Sequence, residues 1–217
     1  MLNKTFLEKL RGDIAEYKTA DSVTVVAASK SVSPEIIDEA YDYGITDFGE
    51  NRVQELTAKF TAVRRPVRWH FIGRLQSNKV KYIIDKVTMI HSADSEKLLA
   101  EINRQADKHS LKMPVLIEVN MGRETAKGGV YPEDAPRLCL ACKSFPCVEL
   151  KGIMCVFPAG ADGSLYKSAE KLFGQLKNEF SLSVLSMGMS GDYIEALRCG
   201  ATVIRPGRAI FGERQQR

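Results

Sequence analysis

The feature that most constrains this chain is an alternation. Short β-branched or apolar runs are followed, again and again, by longer amphipathic stretches, with Gly, Pro, Ser or Asp at the junctions. The runs are VTVVAAS (23–29), ITDFG (45–49), WHFIG (69–73), TMIHS (88–92), PVLIEVN (114–120), ELKGIMCV (149–156), LSVLSMG (182–188) and TVIRPG (202–207). Between them lie EIIDEAYDYG, ENRVQELTAKF, LQSNKVKYIID, SEKLLAEINRQADKH, PEDAPRLCLACKS, SLYKSAEKLFGQLKNEF and DYIEALRCG, which read as helices with one apolar face. An opening helix over about residues 3–18 precedes the first strand, and Ser33-Pro34 begins the next helix with proline in its first turn.

Parallel strands joined by helices close most economically as a (β/α)8 TIM barrel, here with an extra N-terminal helix. The 217 residues suit the lower end of the barrel size range and predict one α/β domain over 1–217. The competitor is a doubly wound open sheet, which wants a Gly-rich turn after its first strand. VTVVAASKSVSP supplies a lysine there and no glycine. The barrel also says where to look for chemistry, because barrel sites form at the C-terminal ends of the strands.

Composition excludes several classes. Hydrophobic residues at 44% and charged residues at 27% rule against a disordered or low-complexity chain. No apolar run approaches the roughly 20 residues of a membrane span, and MLNKTFLEKLRGDIAEYK mixes acids with bases, unlike a targeting segment. A cytoplasmic location is expected, and the five cysteines are expected to be free thiols. Between residues 59 and 86 the bases Lys59, Arg64, Arg65, Arg68, Arg74, Lys79, Lys81 and Lys86 face one acid, Asp85. Such an excess could meet nucleic acid or an acidic partner. A solvated helix face explains it better.

Lys30 directly follows the first strand, where its stem passes the apolar mouth of a barrel. A lysine there either snorkels to water or serves as an amine nucleophile toward an aldehyde, and its place alone leaves both open. The seventh unit, LSMGMSGDYIEA, sets Gly188, Ser190 and Gly191 between a strand and a helix, with backbone N–H groups free for an anion. The eighth, IRPGRAIFG, ends a strand at Arg205 and turns through Pro206-Gly207. Adjacent loops after strands seven and eight are a common phosphate site in barrels. Opposite a lysine, they make a coherent seat for a phosphorylated aldehyde, and pyridoxal 5′-phosphate is such a molecule.

The stretches VAASKSVSPEIIDEAYDYGITDFGENRVQE (26–55), WHFIGRLQSNKVKYI (69–83), IHSADSEKL (90–98) and LSMGMSGDYIEALRCGATVIRPGRAIFG (185–212) resemble the pyridoxal phosphate homeostasis proteins, also called the proline synthase co-transcribed family. These are single-domain relatives of the alanine racemase barrel, and the match runs in order along nearly the whole chain. The resemblance implies that Lys30 carries the cofactor as a Schiff base and that Asn51 lies near it. It also implies that Ser190, Gly191, Gly207 and the amide after Gly207 hold phosphate, and that Arg205 faces the pyridine nitrogen. Arg208 stands where many relatives have threonine or serine; a hydroxyl contact to phosphate there would be lost, and a guanidinium could replace it with charge. VNMGRETAKGG (119–129) resembles the corresponding family loop only loosely, and no residue is carried over from it.

A fixed cation at the pyridine nitrogen disfavours protonation there and weakens the ring as an electron sink. Racemisation needs bases on both faces of the α-carbon, and in the racemases the second comes from an added β-domain of the other subunit. Eight units are expected to take up these 217 residues, which leaves no room among them for that domain. The expected function is therefore storage, buffering or delivery of the cofactor, with amino acids and apo-enzymes as partners and a monomer as the working state. The alternatives are a weak amino-acid racemase or lyase using Lys30 with His70 or His91, and an adaptor using the basic 59–86 stretch. Cys139 and Cys142 form a C-x-x-C without a second ligand pair, and Cys155 and Cys199 are expected to pack. Glu50 and Asp192 are expected at helix starts, complementing the helix dipole.

Overall fold

The computed structural model describes residues 1–17 and 23–212. Helix α1 (Lys4–Tyr17) buries Leu7, Leu10 and Ile14, a helical-period stripe, and is followed by β1 (Thr24–Ala28). The predicted alternation then runs its course through α2 (Pro34–Asp42), β2 (Asp47–Glu50), α3 (Val53–Ala62) and β3 (Arg68–Phe71). It continues with β4 (Met89–Ala93), α4 (Glu96–Lys108), β5 (Met113–Asn120), α5 (Ala135–Ala141) and β6 (Val148–Val156). The last units are α6 (Gly163–Phe180), β7 (Val184–Ser186), α7 (Tyr193–Arg198), β8 (Val203–Ile204) and α8 (Arg208–Phe211).

The strands close in sequence order, every neighbouring pair parallel, and β8 returns to pair with β1 through Thr24↔Val203 and Val25↔Ile204. Each crossover lies between adjacent strands, so each strand's C-terminal end reaches the same rim. The core is the sleeve between strands and helices. Phe48, Phe71, Ile90, Val115, Ile117 and Leu185 meet Ile37, Leu56, Leu98, Leu99, Ile102 and Leu176 there, all fully buried or nearly so.

Several details depart from the sequence expectations. The segment after β3 expected as an amphipathic helix is a short 3-10 helix over Ser77–Tyr82, and α5 is flanked by 3-10 turns at Pro132–Asp134 and Cys142–Ser144. The last two strands are tightly trimmed: β7 and β8 keep three and two residues of the longer apolar runs, and the residues that follow each strand in its run form the loop at the rim. Pro34 opens α2 behind Ser33, as expected, although the Ser33 side chain makes no capping bond. The opening helix was expected to reach residue 18, which lies outside the described residues. Cys139, Cys142, Cys155 and Cys199 are buried and free; burial pushes the first three thiols up to about 12, as packing residues rather than nucleophiles.

Candidate functional site

Four consecutive positions of the closed order, β7, β8, β1 and β2, carry the residues singled out from sequence. Lys30 follows β1, Asn51 follows β2, Ser190 and Gly191 follow β7, and Arg205, Gly207 and Arg208 follow β8. All seven therefore occupy one sector of the same rim. Lys30 and Ser190 are half-buried, Arg205 is 7% exposed, and Asn51, Gly191 and Arg208 are exposed.

Lys30 sits between two pinned neighbours. On one side, Lys59 Nζ reaches from α3 to donate to the Ser29 carbonyl at 2.7 Å and to Glu50 Oε1 at 2.7 Å, and Ser29 Oγ donates to the same carboxylate oxygen at 2.7 Å. On the other side, Ser31 takes a left-handed backbone (φ 62°), and its N–H donates to Glu55 Oε1 at 3.1 Å. A non-glycine residue in that region is strained by about 1–3 kcal/mol and persists where surrounding contacts over-determine it. Two charged side chains from α3 thus fix the backbone on either side of the lysine.

This corrects two sequence expectations. Glu50 is not a helix-start acid but the fully buried last residue of β2, and Lys59 is not part of a solvated basic face but 6% exposed. Burial drives the Glu50 carboxyl upward, opposed by the Lys59 ammonium and the Ser29 hydroxyl. Asp192 does stand at the start of α7. There it accepts hydrogen bonds from the Met189 N–H and the Tyr166 hydroxyl, holding the β7–α7 loop to α6.

The two glycine loops are tied by one hydroxyl. The N–H groups of Gly207 and Ala209 both donate to Ser190 Oγ at 3.1 Å. Gly207 packs against the end of β1 so closely that a Cβ there would lie 2.9 Å from the Ala28 carbonyl oxygen and 3.1 Å from Ala28 Cβ. Gly73 is equally committed, because a Cβ would fall 2.3 Å from the Asn51 carbonyl oxygen, so glycine lets the β3 loop seat the backbone of Asn51. Arg205 is oriented by Ser186 Oγ, which accepts from Nη1 at 2.7 Å, and by the Cys155 carbonyl, which accepts from Nη2 at 3.2 Å.

His70 and His91 are not free bases near strand ends. They lie 6% and 0% exposed, with His70 Nδ1 2.9 Å from His91 Nε2 and His70 Nε2 2.9 Å from Asp47 Oδ1. Sequence offered no orienter for either ring because the partners lie about twenty residues away on neighbouring strands; the register Asp47↔Arg68 and Gly49↔His70 makes Asp47 the partner. Glu118, in the fifth strand, was also missed. It is 7% exposed, its Oε2 has no hydrogen-bond partner among the described residues, and burial together with Asp94 raises its carboxyl to about 7 against the opposing charges of Arg205 and Arg74. An acid inside the apolar run PVLIEVN was the available signal.

Residues 16–215 match the alanine racemase N-terminal domain family. A pyridoxal phosphate homeostasis protein of Aquifex aeolicus is 42% identical over 198 residues, covering 88% of this chain and 87% of that one. The chain belongs to the pyridoxal phosphate homeostasis protein family. Another member of this homeostasis family, from Synechocystis, is 36% identical over 89% of this chain and 92% of its own length. Among solved structures, PipY of Synechococcus elongatus PCC7942 with pyridoxal phosphate bound superposes with a TM-score of 0.85 at 30% identity, covering 96% of this chain and 99% of that one. Alanine racemase of Clostridium difficile 630 superposes at 0.74 with 14% identity over 99% of this chain but 61% of its own, a likeness of fold. The homeostasis family thus shares its barrel with an enzyme whose chain is considerably longer.

Proposed function

We propose that this protein binds pyridoxal 5′-phosphate at the rim sector after β7, β8, β1 and β2, and holds it for intracellular cofactor homeostasis. The observation that carries this reading is the convergence of three complementary donor types: the Lys30 amine, the amides of Gly207 and Ala209 gathered around Ser190, and the buried Arg205 guanidinium. An amine suits an aldehyde, clustered N–H groups suit a phosphate, and a guanidinium suits an unprotonated ring nitrogen. The residues present therefore fit the cofactor, and the PipY structure with pyridoxal phosphate bound supports the assignment. When bound, the cofactor supplies an aldehyde that combines reversibly with primary amines.

The chain's own residues then divide the work. Lys30, its backbone held by Lys59 and Glu55, presents the amine; Asn51 lines the adjoining edge; Ser190, Gly191, Gly207 and Arg208 gather the phosphate; Arg205 keeps a positive charge at the ring nitrogen. That charge disfavours protonation of the nitrogen and so favours holding the cofactor over using it as an electron sink. The racemase or lyase alternative asked for His70 or His91 as a second base, and both rings are committed to each other and to buried partners. The adaptor alternative is weakened because Lys59 is buried and Arg65, Arg68 and Lys86 pair with Asp42, Asp47 and Asp85.

We read the protein as a cytoplasmic monomer in one barrel domain, exchanging cofactor with amino acids and with apo-enzymes. No helix among the described residues is long and apolar enough to cross a membrane, and the five cysteines are free, which suits a reducing compartment. The deciding experiment is an absorption spectrum of the purified protein with added pyridoxal phosphate, followed by borohydride trapping and peptide mapping. Attachment at Lys30 is expected; protein that cannot be loaded refutes the proposal. Fast, Lys30-dependent exchange of amino-acid α-protons in deuterated water would move it to the enzymes.

A further inference from the structure

Inside the barrel, a single file of hydrogen-bonded groups joins the start of β3 to the end of β8. Arg68 Nε and Nη2 donate to Asp47 Oδ1 and Oδ2 at 2.8 and 2.6 Å. Asp47 Oδ1 lies 2.9 Å from His70 Nε2, His70 Nδ1 lies 2.9 Å from His91 Nε2, and His91 Nδ1 lies 3.2 Å from Ser186 Oγ. Ser186 Oγ accepts from Arg205 Nη1 at 2.7 Å. Every member from Asp47 to Arg205 is at most 7% exposed. Arg68, with its side chain 57% exposed, is the file's contact with water.

The two ends dictate the direction of every bond between them. A guanidinium only donates and a carboxylate only accepts. Burial opposes ionisation of Asp47, but hydrogen bonds from His70, Arg68 and Thr46 outweigh it and hold the carboxyl well below the ordinary range. His70 therefore carries its proton on Nε2, and a neutral His70 offers a lone pair at Nδ1. His91 must then present its own Nε2–H, which leaves His91 Nδ1 to accept the Ser186 hydroxyl proton. The remaining lone pairs of Ser186 face the Arg205 donor. With the other tautomer of His91, two ring lone pairs would meet 2.9 Å apart.

A cationic His70 would reverse the inner bonds, and the surroundings oppose that charge moving inward. The charged groups bearing on His91 are Arg205 and Asp47, and burial, His70 and Arg205 all push the His91 imidazole well below its ordinary range. Burial works against the Arg205 charge, and Cys155, Glu118, Asp192 and Tyr166 favour it.

We propose that Asp47, His70, His91 and Ser186 are positioning residues: a tautomer-locked file that orients the Arg205 guanidinium, so that what Arg205 offers a bound pyridine ring is set from the opposite end of the barrel. The part concerning the ring rests on the cofactor assignment above. The file itself does not, because its bonds lie wholly within the protein.

The test has two arms. Histidine 15N correlation spectra of the cofactor-free protein at about pH 8 have three rings to resolve, with the exposed His109 as internal reference. His70 and His91 are expected to show a protonated Nε2 and a bare Nδ1; a proton on Nδ1 of either ring overturns the file. In the second arm Ser186→Ala cuts the link to Arg205 while keeping a small buried side chain, and a melting curve verifies that the variant is folded. Loaded with pyridoxal phosphate, it is expected to bind about tenfold more weakly, the loss of one charge-assisted hydrogen bond, with a displaced absorption maximum and trapping at Lys30 retained. A spectrum and affinity equal to wild type would overturn the positioning role and leave the cofactor assignment standing. Wild-type protein that takes up no cofactor would instead sink that assignment, and the ring tautomers would still judge the file.

Discussion

Lys59 Nζ lies 2.7 Å from the carbonyl oxygen of Ser29, the residue immediately before Lys30. A charge on the outer helix layer therefore holds the backbone of the proposed cofactor lysine, and the same ammonium neutralises the buried Glu50. Lys59→Met is expected to destabilise the protein by about 3–5 kcal/mol, because it strands a buried acid. Glu50→Leu combined with Lys59→Met should recover most of that loss in urea melts while still trapping cofactor at Lys30 more slowly than wild type. Equal melts for the single variant and wild type would show that the pair contributes nothing.

Lys30→Ala is expected to abolish borohydride-stable attachment while leaving the melting temperature within a few degrees of wild type, since the side chain is half-buried and has no hydrogen-bond partner among the described residues. Mass spectrometry of the intact, reduced protein measures it. A persisting adduct would mean that another amine carries the cofactor.

Glu118→Gln should change how stability responds to pH. The folded carboxyl is raised from 4.5 to about 7, so the unfolded chain gives up its proton first as pH rises. Folding then loses stability across that window, by up to about 3 kcal/mol once pH exceeds the folded value. The amide variant should lack this slope and be more stable than wild type near pH 8, as denaturant melts at several pH values would reveal. Parallel curves for the two proteins would mean that Glu118 is not held in its neutral form.

Gly73→Ala would place a methyl 2.3 Å from the Asn51 carbonyl oxygen, a backbone atom that cannot swing aside. A loss of about 2–3 kcal/mol in stability is expected, with weaker cofactor binding as the β3 loop withdraws. Gly174→Ala, on α6, serves as the control, because a Cβ there meets nothing within 4 Å.

The order and type of the elements could be read from the sequence because strand runs such as VTVVAA and PVLIEVN are β-branched and buried, whereas α4 and α6 show a clean helical stripe. The 3-10 segment at Ser77–Tyr82 escaped because its apolar spacing suits an α-helix equally well. At the site, Lys30, Ser190 and Arg205 were legible as unusual residues at strand ends. Their supports were not. Glu50 reads as an ordinary helix-start acid until β2 is seen to swallow it, and Asp47, His70 and His91 become neighbours only through the strand register. Polar residues inside strands were the visible hint, since a barrel interior tolerates them only in mutual company.

The double acceptor role of Ser190 bears on how fast such a protein lets go of its cargo. The amides of Gly207 and Ala209 have an internal acceptor in the hydroxyl itself. Departure of a phosphate from this seat would therefore exchange one set of hydrogen bonds for another, with little refolding and no stranded donors to slow it. The resting loops are thus already bonded in the arrangement that a departing phosphate would leave behind.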